Sequence, residues 1–152
     1  MDFETNEALI EEVQTDWLRY LVDCSINRKV AIKQSEPSFY YAGIELSVDK
    51  FVYYLAEMEK HKVMWSEAVL NAAINFVFDE LGIRRIFFHS FETGVILKGI
   101  KCTKPPKSLY TDLPKKFCFE GVDAGPEFIR KDKKAKRHLK AIKNPQRFTM
   151  GN

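Results

Sequence analysis

The sequence predicts a mixed α/β (α+β) fold, a mixed central sheet flanked by helices. Three adjoining patterns between Trp65 and Lys98 lead to it. Val69, Leu70, Ala73, Ile74, Val77, Phe78 and Leu81 recur at three- and four-residue spacing, so a helix there turns one apolar stripe toward a core. Gly82 follows, the residue type on which a chain commonly leaves a helix. The dense apolar run 83–89 (IRRIFFH) then suits a strand covered on both faces, as in parallel or mixed sheets packed by helices. Ser90 offers an N-cap for a helix over Phe91–Lys98, and Gly99 can stop it.

The earlier elements follow from the same rules. Residues 5–24 admit two readings. Leu9, Val13, Trp17, Leu21 and Cys24 recur at helical spacing. The same residues permit a strand over Ala8–Gln14 and a helix opened by Thr15 or Asp16. In the strand reading Glu12, Gln14 and Asp16 project to one side, where three aligned polar groups would need partners or a task. Lys29–Gln34 (KVAIKQ) reads as a short strand, and Ser38–Leu46 (SFYYAGIEL) as a second, aromatic one. Ser47 caps an expected helix over Val48–His61, with Phe51, Leu55 and Met58 on one face. Lys60-His61-Lys62 reads as a polar break before the central helix.

After Gly99, Pro105-Pro106 excludes regular structure. Ser108–Glu120 is expected to give two short strands, or a strand and a turn around Pro114, and 121–126 a loop. From Phe128 a helix is expected through Ile142, ended by Asn144-Pro145. The expected organisation is one domain over 1–127 followed by a basic C-terminal tail over 128–152. There is no internal repeat and no low-complexity segment.

Length and composition bound the class. A chain of 152 residues with 45% hydrophobic residues and twelve Phe can bury a sizeable core. No apolar run approaches the roughly 20 residues that span a bilayer, and the acidic start lacks signal-peptide order, so no membrane partner is expected. Cys24, Cys102 and Cys118 form no CxxC pair, which fits a reducing cytoplasm better than a disulfide framework or a zinc site. From Arg130 to Arg147 nine basic residues face one acid, a balance of +8; the chain total is +3, so the rest carries −5. Lys131, Lys133, Lys134, Lys136, Arg137 and Lys140 are the candidate contacts to nucleic acid or to an acidic protein surface.

No GxGxxG, GxxxxGK(S/T), HExxH or GxSxG is present, and His61, His89 and His138 lack metal-ligand spacing. No metal is expected. His89, Ser90, Glu92 and Thr93 fall at the carboxyl end of the buried strand, where open α/β sheets place ligands. The plainer alternative is that Ser90 and Thr93 only cap the helix.

Residues 9–17, LIEEVQTDW, resemble the EEIQSDW segment of a domain found in large polyvalent proteins of phages and mobile elements. Trp65–Leu81, Gly82–Phe88, His89–Gly94 and 109–117 (LYTDLPKKF) follow in that family's order. The resemblance implies a phage or mobile-element protein, located in a host cytoplasm or packaged in a virion. The helix–strand–helix–strand order of the second half is similar to the GNAT-type N-acetyltransferases. That similarity implies an acyltransferase-like (GNAT-like) topology, acyl-CoA as cofactor, and Tyr110 near a position that protonates a leaving thiolate. The superfamily's pyrophosphate loop, Q/R-x-x-G-x-G/A, is absent, because the segment before Trp65 (EMEKHKVM) has no glycine.

Three functions are therefore expected in competition. An acyltransferase-like enzyme, divergent or degenerate, would use Glu12, Asp16, His89, Glu92 and Tyr110 as catalytic candidates, with Glu12 or His89 as the base. Gln14, Trp17, Trp65, Ser90 and Thr93 would hold its substrate. A non-catalytic phage protein would associate with nucleic acid or a virion through the basic tail. A small phage protein could also act as an inhibitor or adaptor of a host factor.

Overall fold

The structure, a computed structural model, describes residues 1–100, 105–140, 142 and 146–151, leaving aside the side chains of Lys62 and Val63. The chain divides into two compact units, Met1–Val13 with Glu67–Asn152, and Gln14–Ser66. Each is treated by itself.

In the first unit, β1 (Glu7–Ile10), β4 (Arg85–His89), β6 (Arg147–Gly151) and β5 (Glu120–Val122) form a sheet in the order β1-β4-β6-β5. β1 runs parallel to β4, while β6 is antiparallel to both β4 and β5. This is the mixed sheet that the apolar run 83–89 anticipates. Ile86, Phe87 and Phe88 are all buried, so both faces of β4 are covered. Phe88 meets Tyr110 and Phe119 edge-on at 6.1 and 5.9 Å, and burying such a ring is worth about 2–3 kcal/mol.

The helix α2 (Val48–Asn75) enters this unit at Glu67 and buries Leu70 and Ile74. A π-helical turn, Phe76–Glu80, continues it and buries Val77. Val69, placed on the same stripe by its spacing, is instead exposed. Gly82 takes φ +64°, and Ile83 N–H closes on Val77 O at 3.1 Å, as the expected left-handed helix exit requires. The helix α3 (Phe91–Leu97) begins at the expected Ser90 cap and ends before Gly99 at φ +64°.

Other elements differ from the sequence reading. Residues 108–120 give the helix α4 (Ser108–Lys116) before β5, not two strands. Pro114 is tolerated because it sits near the end of α4, where it removes one backbone bond, and its ring is fully buried. The basic stretch forms two short helices, α5 (Glu127–Lys131) and α6 (Lys133–Leu139), divided at Asp132. Asp132 caps α6 by accepting from Ala135 N–H at 2.6 Å. The expected helix end at Asn144-Pro145 lies outside the described residues. Residues 128–152 are not an appended tail: their last strand, β6, lies between β4 and β5.

The second unit holds α1 (Asp16–Lys33), the hairpin β2 (Ser38–Tyr41) and β3 (Ile44–Ser47), and the start of α2. Thr15, extended, precedes α1, so the strand-then-helix reading of residues 5–24 prevails with a shorter strand. KVAIKQ belongs to α1 rather than to a strand. Ala31 continues the line of Leu21, Cys24 and Arg28 at helical spacing, and Arg28 Nε donates to Val48 O at 3.0 Å. Ser38–Leu46 folds into the hairpin because Ala42 and Gly43 both take positive φ, +49° and +80°, the geometry of a two-residue turn. Phe39 stacks edge-on to Phe51 at 5.4 Å in the small core. Lys60-His61-Lys62 does not break α2. The run holds no Gly or Pro, and Lys60 pairs with Glu57 at 2.7 Å on the helix surface.

Candidate functional site

The parallel pairing of β1 with β4 brings their carboxyl ends to one edge of the sheet, and the antiparallel β6 begins there. Three segments meet at that edge: Glu11-Glu12 after β1, His89-Ser90 ending β4, and Arg147 opening β6 opposite His89.

His89 is 2% exposed, and among the described residues its Nδ1 has no hydrogen-bond partner. Burial, reinforced by the charges of Arg147 and Lys98, lowers its pKa to about 4, so the ring is neutral at pH 7. Lys98, just past α3, reaches Glu12 Oε1 at 2.7 Å and Glu11 Oε2 at 3.5 Å. Tyr110, from α4, is buried; its pKa is raised by burial and then by the charge of Glu12. A Cβ on Gly94 would lie 3.2 Å from the Tyr110 ring and 3.5 Å from His89 Cβ, so the two side chains pack closely on either side of this backbone. Glu12, His89 and Tyr110, three of the sequence-derived catalytic candidates, therefore do converge, with Lys98 among them.

Ser90 and Thr93 form a closed hydrogen-bond circuit. Thr93 N–H donates to Ser90 Oγ at 3.3 Å, and Thr93 Oγ1 donates to Gln146 O at 2.8 Å. The two hydroxyls also bond each other, which leaves Ser90 as donor to Thr93. The circuit caps α3 and ties it to the residue before β6. Both hydroxyls are engaged in structure, as the plainer alternative for this pair has it.

The remaining candidates lie elsewhere. Glu92 is exposed on α3. Gln14, Asp16, Trp17 and Trp65 belong to the second unit. There Asp16 pairs with Arg19 at 2.7 Å on the surface of α1, and Gln14 is exposed before it. The expected alignment of Glu12, Gln14 and Asp16 along a strand does not form, because β1 ends at Ile10.

Two participants carried no signal in the sequence. Glu7 is buried, and its Oε2 accepts the Glu127 backbone N–H at 2.6 Å, at the start of α5. Arg147, read as part of a solvated basic run, is buried in β6 with its guanidinium packed against Gly125. Burial lowers its pKa. The polar–apolar alternation of residues 147–151 (RFTMG) is too short and too polar to mark a strand.

The space at this edge is a cavity of about 200 Å³, lined by His89, Glu11, Lys98, Asp132, Lys134 and His138 among others. Ligand sites for drug-sized molecules run from about 300 to 1,000 Å³, so this cavity is small for a nucleotide cofactor. Acyl-CoA meets a second obstacle. Helix α2 runs unbroken through residues 60–65, so no helix N-terminus opens there to receive a pyrophosphate. Among the described residues no three His, Cys, Asp or Glu side chains group closely enough to hold a metal ion, and no helix is long and apolar enough to cross a membrane. No family model matches the sequence, and no curated protein and no solved structure matches the chain.

Proposed function

We propose that this chain is a non-catalytic, nucleic-acid-associated protein of phage or mobile-element type, built on an acyltransferase-like half-sheet. The exposure of Arg130, Lys131, Lys133, Lys134, Lys136, Arg137 and Lys140 together on α5 and α6 carries the reading. Lys131 is held by Glu127 at 2.9 Å. Among the described residues Lys133, Lys134, Lys136, Arg137 and Lys140 have no ion-pair partner and are open to phosphate. Loss of catalysis is supported by Lys98, which occupies both Glu11 and Glu12, and by the engaged hydroxyls of Ser90 and Thr93. The acyltransferase-like element is supported by the strand order: a parallel pair, then two antiparallel strands with the last in sequence inserted between its predecessors. The resemblance of residues 9–17 supports the phage or mobile-element origin, and with it a host-cytoplasmic or virion location.

The test is a binding titration with duplex DNA and single-stranded RNA at several salt concentrations. The expected affinity falls linearly in log–log form, with a slope near 0.9 per phosphate contact on duplex DNA. Changing Lys133, Lys134, Lys136 and Arg137 together to Gln should flatten that slope by up to about 3–4. Undiminished binding by this variant, or no binding by the parent at low salt, removes the proposal.

A divergent acyltransferase is the second reading, favoured by the convergence of Glu12, His89 and Tyr110 at the ends of the parallel pair. Neutral His89 would take a proton from an acceptor amine, and Tyr110, kept protonated, would return one to the departing thiolate. Saturable acyl-CoA binding, weakened in Tyr110→Phe, would favour it over the first reading.

A further inference from the structure

A second cavity lies wholly within the second unit. It measures about 750 Å³, inside the range of small-molecule sites. Its walls carry five aromatic rings: Trp17 and Tyr20 from α1, Tyr41 from β2, and Phe51 and Tyr54 from α2. Tyr20 and Tyr41 lie 6.2 Å apart and tilted by 54°, and Phe51 and Tyr54 lie 6.1 Å apart and tilted by 42°. Trp17, Tyr20 and Tyr54 are 39, 48 and 51% exposed, an unusual outlay of ring surface for a unit whose core is small.

The charge around these rings has a sign. Glu45 lines the cavity, and Ser38 Oγ donates to its Oε1 at 2.6 Å, which fixes the carboxylate in place. Asp23, exposed on α1, accepts from the Tyr41 hydroxyl at 3.5 Å. The lining itself carries one carboxylate, Glu45, and one cation, Lys50, and the Tyr41 hydroxyl links it to a second carboxylate, Asp23. Burial first, and then the charge of Asp23, raise the pKa of both the Cys24 thiol and the Tyr41 phenol.

We propose that this cavity is a binding site for a small organic cation, an ammonium group carried on an apolar or aromatic body. The ring faces present negative quadrupole to a cation and apolar area to its body. Glu45 supplies the fixed counter-charge, and its tether to Ser38 lowers the ordering cost of using it. A neutral apolar ligand would bring Glu45 no counter-charge, and an anion would be repelled by it.

The experiment uses the full chain and follows the Trp17 indole N–H by nuclear magnetic resonance, assigned with Trp17→Phe. Benzyltrimethylammonium, its neutral carbon isostere neopentylbenzene and the anion phenylmethanesulfonate are titrated separately, each below its solubility limit. The expected result is a saturable shift with the ammonium at least about fivefold tighter than with either analogue. Glu45→Gln should weaken ammonium binding by about fivefold, and Tyr20→Leu by a similar factor, with the circular dichroism of the parent retained. Equal binding of the neutral isostere would reduce the cavity to a greasy cleft and overturn the proposal. Tighter binding of the sulfonate, showing that Lys50 governs the site, would overturn it as well, as would the lack of any saturable ammonium shift.

Discussion

His89 ends β4 with its ring enclosed, and its proton affinity follows from that enclosure. Its pKa is about 4 in the folded chain against an ordinary value of 6.5, because burial and the charges of Arg147 and Lys98 oppose a third positive charge. Between those two values the unfolded chain binds the extra proton and the folded chain does not, so stability rises with pH through the window and is lost as pH falls. From pH 7 to pH 5 the loss attributable to this one side chain is about 2 kcal/mol. Urea unfolding of the parent should show that decline, and His89→Leu should remove it while leaving the carboxylate transitions at lower pH. An equally steep decline in the variant would assign the effect elsewhere. The sequence marks His89 as a strand-end residue, since a dense apolar run precedes it. It does not reveal that Lys98 pairs with Glu12, or that Arg147 faces the ring. Those partners are 86 and 58 residues away along the chain, and nothing local encodes them.

The element α3 shows how far a local signal reaches. Ser90, with Thr93 three residues on and Gly99 beyond the end, specifies a capped helix by chemistry that acts within one turn. What the local pattern omits is that Thr93 also donates to Gln146 O, which fixes the approach to β6. Thr93→Val keeps the shape of this fully buried side chain and removes the donor. The Gln146 carbonyl then loses its partner, and the exchange should cost about 1–3 kcal/mol of stability, read from denaturant midpoints at constant slope. Thr93→Ser keeps the donor and should recover most of the hydrogen-bond part, leaving the loss of a buried methyl. The misread elements fail for related reasons. Residues 108–116 contain Pro114, a breaker whose effect depends on how near it stands to the helix end. Residues 29–34 hold a short apolar run with two β-branched residues, Val30-Ala31-Ile32, and only the line from Leu21 through Cys24 to Ala31 shows that α1 is still running. Residues 38–46 conceal a turn, because Ala42 takes a conformation that its residue type does not advertise.

At the scale of the whole molecule, the basic C-terminal region serves two ends in one stretch of chain. Its helices display cations, and its final strand completes the sheet between β4 and β5. The strand's own sequence, RFTMG, gives no warning. Arg147 belongs to the charged run that precedes it, and its burial depends on Gly125 leaving room for the guanidinium. Electrostatics and architecture can therefore be separated only by substitution, never by truncation. Removing residues 128–152 deletes β6, leaves β4 paired on its β1 side alone, and strips β5 of its sole sheet neighbour among the described residues. Each unpaired group of the inner strand loses a backbone hydrogen bond and the cover of Phe148 and Met150. The truncated chain should show fast amide exchange at Ile86 and Phe88, whose N–H groups face β6, whatever its behaviour toward nucleic acid. The four-fold Gln variant at Lys133, Lys134, Lys136 and Arg137 touches only exposed side chains, so the same two amides should keep their protection. Protection at Ile86 and Phe88 in the truncated chain would mean that β6 contributes little to the sheet. Loss of protection in the four-fold variant would mean that the exposed cations hold the fold, so that any fall in its affinity could not be credited to phosphate contacts.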